Sequence, residues 1–140
     1  MKILVPLDGS DNSMRSIDFL ANTFKDKLAE LEITLIYVVM YELYVMSSPE
    51  IIERVGKQRA DETMTAAEAA FKRYNPNVNI TRSVECGSSA ADIIVAVAEQ
   101  GNFDMIVMGS TGISNLKRFI LGSTSTRVSQ YAPCTVVLVR

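Results

Sequence analysis

Short apolar runs alternate along the chain with stretches in which apolar residues recur every three or four positions. Continuous apolar runs of this length, bounded by Gly, Pro, Asp or Ser, are typical of strands that are buried on both faces. They predict β-strands at residues 3–7, 33–39, 80–86, 105–108 and 133–140. A stretch with helical spacing follows each of the first four strands, so a β-α unit repeats four times before a last strand.

The helices between these strands have recognisable starts and ends. In the first, apolar residues keep helical spacing from Met14 to Leu28, and we expect Asp11 to cap its N-terminus. The second follows Ser47-Ser48-Pro49 and ends before Pro76, which makes it about 26 residues or roughly 39 Å long. The third leads from Gly87-Ser88-Ser89 to a stop at Gly101, and the fourth covers about residues 123–131.

Strands that are apolar on both faces and separated by helices form parallel sheets covered by helices on each side. The chain has 140 residues, of which 48% are hydrophobic, as expected for one domain with one buried core. The pattern therefore predicts an α/β fold in which a single domain, residues 1–140, contains a doubly wound five-stranded parallel sheet. Pro6 is compatible with this sheet because it lies near the end of its strand.

A glycine pattern follows the fourth predicted strand. Gly109-Ser110-Thr111-Gly112 is separated by nine residues from Gly122-Ser123, where the last helix is predicted to begin. Glycine lets backbone N–H groups come close to a ligand, and the N-terminus of a helix attracts anions. The pattern indicates a phosphate site, to which Lys117 and Arg118 could add charge-assisted contacts. The alternative is that the glycines form only a tight turn and the two cations a solvated surface.

Asp8-Gly9-Ser10 follows the first predicted strand. In doubly wound sheets, ligands bind at the carboxyl ends of the strands, where the strand order reverses. We therefore expect this loop and the Gly109–Gly112 loop to share one crevice, with Asp8 in contact with the ligand. The alternative for Asp8 is an ordinary turn or helix-capping residue.

Charge and cysteine content exclude several classes of partner. The formal net charge is −2, with 14 Lys and Arg against 16 Asp and Glu, so no basic footprint for nucleic acid or an anionic membrane is present. The chain has no histidine, and we expect Cys86 and Cys134 to be buried free thiols rather than zinc ligands. No signal-peptide core and no membrane-spanning run is found, so we expect a cytoplasmic location.

The chain resembles the universal stress protein family over essentially its full length. The resemblance rests on VPLDGS at 5–10, GSSAADI at 87–93, MGSTG…LGSTS at 108–125 and CTVVLVR at 134–140. The intact glycine motif resembles the branch of the family that binds ATP. The resemblance implies an adenine-nucleotide alpha-hydrolase-like fold with strand order 3-2-1-4-5, and a homodimer.

The resemblance also implies a set of nucleotide-contacting residues: Pro6, Leu7, Asp8, Val38, Met108, Gly109, Gly112, Gly122, Ser123 and Thr124. Asp8 resembles the acid that faces the nucleotide and any Mg²⁺. Val38, with Pro6 and Leu7 beside it, resembles the residue whose backbone meets the adenine. Met108 and Gly109 resemble the wall of the ribose and adenine site, and the last four residues of the set the phosphate cradle. Thr111 departs from the pattern, because many relatives carry His or Arg there.

The function implied is that of a regulator that responds to stress through bound ATP and its dimeric state. We expect the dimer to form through strand 134–140, which is apolar and lies at a predicted sheet edge. Efficient catalysis is not expected, because the chain has no Walker sequence, no G-x-G-x-x-G and no histidine. Turnover of ATP, if present, should be slower than about 1 s⁻¹.

Three other functions stay open at this point: a slow ATP hydrolase or adenylate-handling enzyme on the same scaffold, an ATP-free dimeric scaffold, and a receiver domain. The receiver domain is the weakest, because the third strand ends in Glu85-Cys86-Gly87 without an aspartate. Residues 40–48 are long and mixed in composition, and we expect them to form a mobile lid over the adenine.

Overall fold

The computed structural model describes residues 1–41, 48–111 and 121–140. Their strands are β1 (Lys2–Leu7), β2 (Glu32–Met40), β3 (Asn79–Gly87), β4 (Met105–Gly109) and β5 (Thr135–Val139). Their α-helices are α1 (Asp11–Phe24), α2 (Pro49–Tyr74), α3 (Ala90–Gln100) and α4 (Ser123–Tyr131), and a 3₁₀ helix covers Lys25–Glu30. Gly112, Lys117 and Arg118 lie outside the described residues, as do residues 42–47 of the predicted lid.

The sheet has the predicted architecture. Its five strands lie in the order β3-β2-β1-β4-β5, and every pair is parallel. The chain leaves β1 toward β2 and β3 on one side and returns to β4 and β5 on the other, so the order reverses at β1. The carboxyl ends of β1, β2 and β4 therefore meet at the position where doubly wound sheets bind ligands.

Two apolar layers cover the faces of the sheet. On one face α1 and α2 pack on β1 and β2 through a buried cluster that includes Ile17, Met64 and Phe71. On the other face α3 and α4 pack on β1, β2 and β4 through Ile94 and Val128. Burial on both faces explains why the strands read as continuous apolar runs in the sequence.

The first helix differs from the prediction at both ends. It ends at Phe24, because Lys25 has a φ of +34°, and Leu28 is buried in the 3₁₀ helix that follows. Its cap is Ser10, whose hydroxyl accepts a hydrogen bond from the Ser13 backbone N–H at 3.2 Å. The prediction that Asp11 caps the helix was wrong, and Asp11 is the first helical residue.

Helix α2 is anchored to the edge strand β3 by charge. Arg82 donates to Glu68 at 2.6 Å and to Asp61 at 2.7 Å, and its other terminal nitrogen donates to the Thr65 hydroxyl at 3.2 Å. These contacts lower the pKa of Glu68, chiefly through the Arg82 hydrogen bond. They hold the middle of α2 against the sheet, next to the part of the helix that reaches the site described below.

The remaining sequence expectations concern the cysteines and the membrane. Cys86 and Cys134 are free, as expected, but both are partly exposed rather than fully buried. Burial raises the pKa of the Cys134 thiol. Among the described residues, no helix is both long enough and apolar enough to span a membrane.

Candidate functional site

A cleft of about 410 Å³ lies at the carboxyl ends of β1, β2 and β4. Its volume is within the usual range for sites that bind small molecules. The cleft brings together nine of the ten residues predicted to contact a nucleotide: Pro6, Leu7, Asp8, Val38, Met108, Gly109, Gly122, Ser123 and Thr124. The tenth, Gly112, lies outside the described residues. Two loops that are distant in sequence thus line one crevice, as the strand pattern predicts.

One end of the cleft is apolar. Strand β2 contributes Ile36, Val38 and Met40. Helix α3, which packs on the face of the sheet that holds Ile36 and Val38, contributes Ala90 and Ile94. Met108, at the end of β4, is 5% exposed and continues this wall. These side chains form a surface suited to the flat face of an aromatic group such as a nucleobase.

Asp8 lies in the loop after β1, where its side chain both stabilises the turn and lines the cleft. Its Oδ1 accepts a hydrogen bond from the Ser10 backbone N–H at 2.9 Å, which is the Asx-turn interaction that the alternative interpretation requires. The side chain also lines the cleft, and none of the interactions found in the described part of the chain involves Oδ2. The turn therefore orients the carboxylate and leaves one oxygen available to a ligand.

The described residues contain no cluster of three or more His, Cys, Asp or Glu side chains that could hold a metal ion. Asp8 would be a single protein ligand for a cation. This is compatible with Mg²⁺, which commonly binds one or two carboxylates and completes its shell with water and substrate phosphates.

The N-terminus of α4 faces the cleft without a capping side chain. Helices α1 and α3 are capped by the hydroxyls of Ser10 and Ser89, whereas the N-cap of α4 is Gly122. The first N–H groups of a helix have no intrahelical partner and carry the positive end of its dipole. No acidic residue occupies the first turn of α4, so this end of the cleft can accept an anion.

Two hydrogen bonds hold the start of α4 against the loop that follows β4. The Ser110 carbonyl oxygen accepts from the Gly122 backbone N–H at 2.9 Å and from the Ser125 hydroxyl at 2.7 Å. Ser110 itself is buried, and its N–H donates to the Val139 carbonyl at 2.7 Å. The two parts of the glycine pattern are therefore joined directly, and both border the cleft.

Gly109 and Gly122 lack side chains for different reasons. A Cβ on Gly109 would lie 2.8–2.9 Å from backbone atoms of Asn12 and Ser13, so the close packing of α1 on β4 requires glycine there. A Cβ on Gly122 would meet nothing closer than 3.5 Å, and its φ of −63° is open to any residue. Close packing of two elements thus explains Gly109, while neither packing nor backbone conformation requires a glycine at position 122.

Arg59 of α2 also lines the cleft, and the sequence analysis missed it. A Cβ on Gly56 would overlap the Val39 side chain, so α2 packs tightly on the end of β2. Two turns later Thr63 lies beside Gly9 in the loop after β1. Arg59 lies between these contacts on the same helical face. The only available signal was this i, i+3, i+7 spacing, which does not reveal that the face meets the edge of the sheet.

The cleft lining contains both signs of charge. Among the described residues, Asp8 and Arg59 are its charged side chains, and no ion pair joins them. The site therefore combines an apolar end, one carboxylate, one guanidinium and the N-terminus of a helix. This combination suits a ligand with an aromatic base at one end and an anionic group at the other.

Comparison with known proteins agrees with the fold and the motifs. A model described as the Universal stress protein family matches residues 1–140. A universal stress protein from Methanothermobacter thermautotrophicus is 38% identical over 145 residues, which cover 99% of this chain and 94% of that protein. The universal stress protein YxiE from Bacillus subtilis is 31% identical over 147 residues, covering 99% and 98% of the two chains.

Solved structures show the same architecture. Universal stress protein UspA from Lactobacillus plantarum has a TM-score of 0.72 at 26% identity, covering 100% of this chain and 97% of that one. A universal stress protein in complex with cAMP has a TM-score of 0.74 at 19% identity, with 100% and 97% coverage. The Archaeoglobus fulgidus protein in complex with dAMP has a TM-score of 0.72 at 20% identity, with 100% and 98% coverage. This chain therefore belongs to the universal stress protein family.

Proposed function

We propose that the protein is an ATP-binding universal stress protein that acts as a dimeric, nucleotide-dependent regulator. The observation that carries the proposal is the N-terminus of α4, which has no capping side chain and borders a cleft with an apolar far end. Two proteins with this fold are described as complexes with cAMP and dAMP. Those ligands share the adenine ring and a phosphate, the two groups that the cleft is suited to hold.

In this proposal, the adenine and the phosphates of the ligand lie at opposite ends of the cleft. The adenine lies among the apolar side chains of β2 and α3, with Val38 and Pro6 beside it. The ribose passes Asp8, whose free oxygen can accept a hydrogen bond from a hydroxyl or bind Mg²⁺. The phosphates lie at Gly122, Ser123 and Thr124, where backbone N–H groups and two hydroxyls can donate to them.

ATP is proposed over AMP because of the charge that the cleft offers. The N-terminus of α4 provides only about half an elementary charge, enough for part of one phosphate. Arg59 of α2 adds a full positive charge, and Mg²⁺ bound to the Asp8 carboxylate would add a net charge of one. Together these groups compensate a polyphosphate better than a single phosphate requires.

A direct binding measurement tests this proposal. Isothermal titration calorimetry of the purified chain with ATP, ADP, AMP and GTP, each with Mg²⁺, should show saturable binding of the adenine nucleotides. ATP should bind most tightly and GTP least, because guanine carries one more exocyclic polar group than adenine and the apolar side chains of this end offer it no hydrogen bond. A flat trace for all four nucleotides would contradict the proposal and favour an ATP-free scaffold.

The same samples separate a regulator from an enzyme. Release of phosphate from ATP should be slower than about 1 s⁻¹, because the described cleft offers no histidine and Asp8 is its only carboxylate. Faster turnover that is lost in Asp8→Asn, with ATP binding retained, would instead favour the hydrolase alternative.

The proposed dimer forms through β5. This strand is at the edge of the sheet, and its residues Val136 to Val139 are only partly buried. An open edge presents unpaired N–H and C=O groups to a second copy, and a two-fold axis would pair the strands antiparallel. The Val139 carbonyl accepts from Ser110, so Val139 and Val137 face β4, and the outward backbone N–H groups of β5 belong to Val136 and Leu138. Leu138→Pro removes an outward N–H and should shift the protein toward the monomer in light scattering while circular dichroism stays native. A folded variant that remains dimeric would rule out this interface.

A further inference from the structure

The Thr111 side chain lies at the border of the proposed phosphate site. It follows Ser110, whose carbonyl is hydrogen-bonded to the start of α4. A Cβ on Gly122 would lie 3.5 Å from the Thr111 Cα, so the two backbones are in contact. Thr111 also lines the cleft. Thr111 therefore lies beside the N-terminus of the helix proposed to receive the phosphates.

A residue outside the cleft holds this hydroxyl. The side-chain amide of Asn12, in the first turn of α1, donates a hydrogen bond to the Thr111 Oγ1. Asn12 is in reach because Gly109 has no Cβ and lets the backbone of α1 approach the end of β4. Asn12 itself is not among the residues that line the cleft.

The direction of this bond determines what the threonine can do. A hydroxyl has one donor and two acceptor positions, and a side-chain NH₂ group can only donate. With Asn12 occupying an acceptor position, the proton of the Thr111 hydroxyl is free to point elsewhere. The described residues place no acceptor on it, and Thr111 lines the cleft.

We propose that Thr111 donates a hydrogen bond to a phosphate oxygen of the nucleotide and that Asn12 is the positioning residue that orients this donor. The inference rests on the proposed function, since it assigns a donor within the same site. In this proposal, the hydrogen-bond donor at position 111 is uncharged and has a fixed direction. Recognition of the phosphate by this residue depends on the direction of the hydroxyl rather than on charge.

The first test compares a substitution that removes the Thr111 hydroxyl with one that keeps it. Thr111→Val removes the hydroxyl and keeps the shape, and should weaken Mg-ATP binding about tenfold, the usual effect of losing a hydrogen bond to a charged group. Thr111→Ser keeps the hydroxyl and should bind Mg-ATP within about twofold of the native protein. Equal affinity of the Val and Ser variants in calorimetry would overturn the proposal.

The second test asks whether Asn12 acts through Thr111. Asn12→Ala frees the hydroxyl to rotate among about three staggered positions, so Mg-ATP affinity should fall about threefold. Asn12→Asp should weaken binding further, because a carboxylate only accepts and would draw the proton away from the phosphate. An acidic residue is favourable in the first turn of a helix, so this variant should fold normally.

A double-mutant cycle with Thr111→Val distinguishes positioning from a purely structural role. If Asn12 acts through the hydroxyl, Asn12→Ala has no effect on Mg-ATP affinity in the Thr111→Val background. In that background, Asn12→Asp should weaken Mg-ATP binding only through the long-range repulsion between its charge and the phosphates. Additive losses in the cycle would overturn the assignment of Asn12.

The outcomes separate this inference from the proposed function. If the native protein binds no adenine nucleotide, the proposed function fails and the inference fails with it. If the native protein binds Mg-ATP and the Thr111→Val variant binds it equally well, only the inference fails, and the binding proposal stands.

Discussion

The N-terminus of α4 allows a test in which folding and binding respond with opposite signs. Ser123 is the first residue of α4, is exposed, and lines the cleft. Ser123→Asp places a carboxylate at a helix start that has no acidic residue in its first turn. Interaction with the helix dipole should stabilise the fold by about 0.3–1 kcal/mol, which corresponds to a rise of about 1–3 °C in Tm.

The same carboxylate should weaken nucleotide binding strongly. At about 5 Å from a phosphate oxygen, with an effective dielectric constant of about 20, the repulsion is about 3 kcal/mol. That energy corresponds to a loss of about a hundredfold in affinity. The expected variant is thus slightly more stable than the native protein and nearly unable to bind Mg-ATP.

Ser123→Asn is the matched control, because it has nearly the same shape without the charge. Differential scanning calorimetry measures Tm without ligand, and isothermal titration calorimetry measures the affinity for Mg-ATP. The Asn variant should bind within a few-fold of the native protein. If the Asp and Asn variants bind Mg-ATP equally, the phosphates do not lie at the start of α4, and the assignment of the cleft is wrong.

Further predictions concern the packing and charges around the cleft. Gly109→Ala forces a Cβ against the backbone of α1 and should lower the free energy of unfolding by about 1–3 kcal/mol in urea titrations; an unchanged midpoint would contradict the close approach. Ser16 is fully buried, and within the described residues its hydroxyl lacks a hydrogen-bond partner, so Ser16→Ala should leave the stability unchanged or raise it, whereas a loss above about 1 kcal/mol would reveal a hidden partner. Arg82 lowers the pKa of Glu68, so the stability that their ion pair adds is present above the ordinary pKa of about 4.3 and is lost as the pH falls through the pKa of the folded protein. Arg82→Gln should therefore be less stable than the native protein at pH 7, and the difference in unfolding free energy should become smaller in acid. A difference that does not change with pH would exclude this linkage. Arg59→Gln should weaken binding of ATP more than of AMP in calorimetry, and equal losses for the two would place Arg59 away from the terminal phosphates.

The sequence by itself determined the order of elements and the sheet. Continuous apolar runs separated by helical spacing predicted a doubly wound parallel sheet, and the resemblance supplied the strand order, which the structure confirms. The sequence also predicted that the loops after β1 and β4 meet at one edge of the sheet, and the described residues of both loops line one cleft there, because loops after parallel strands meet at the carboxyl ends. These features depend on local pattern and on a general rule of topology, so they can be read without the tertiary structure.

Only the tertiary structure decided which other side chains reach the cleft. Arg59 enters because Gly56 lets α2 pack closely on Val39, and Asn12 reaches Thr111 because Gly109 lets α1 approach β4. Periodicity predicts neither contact, since each depends on how far apart two packed elements are and on which neighbour a helix face meets. The end of α1 at Phe24 is a similar case, because Leu28 keeps helical spacing although the backbone turns at Lys25. Spacing records which residues are buried, whereas the distance between packed elements decides which side chains meet.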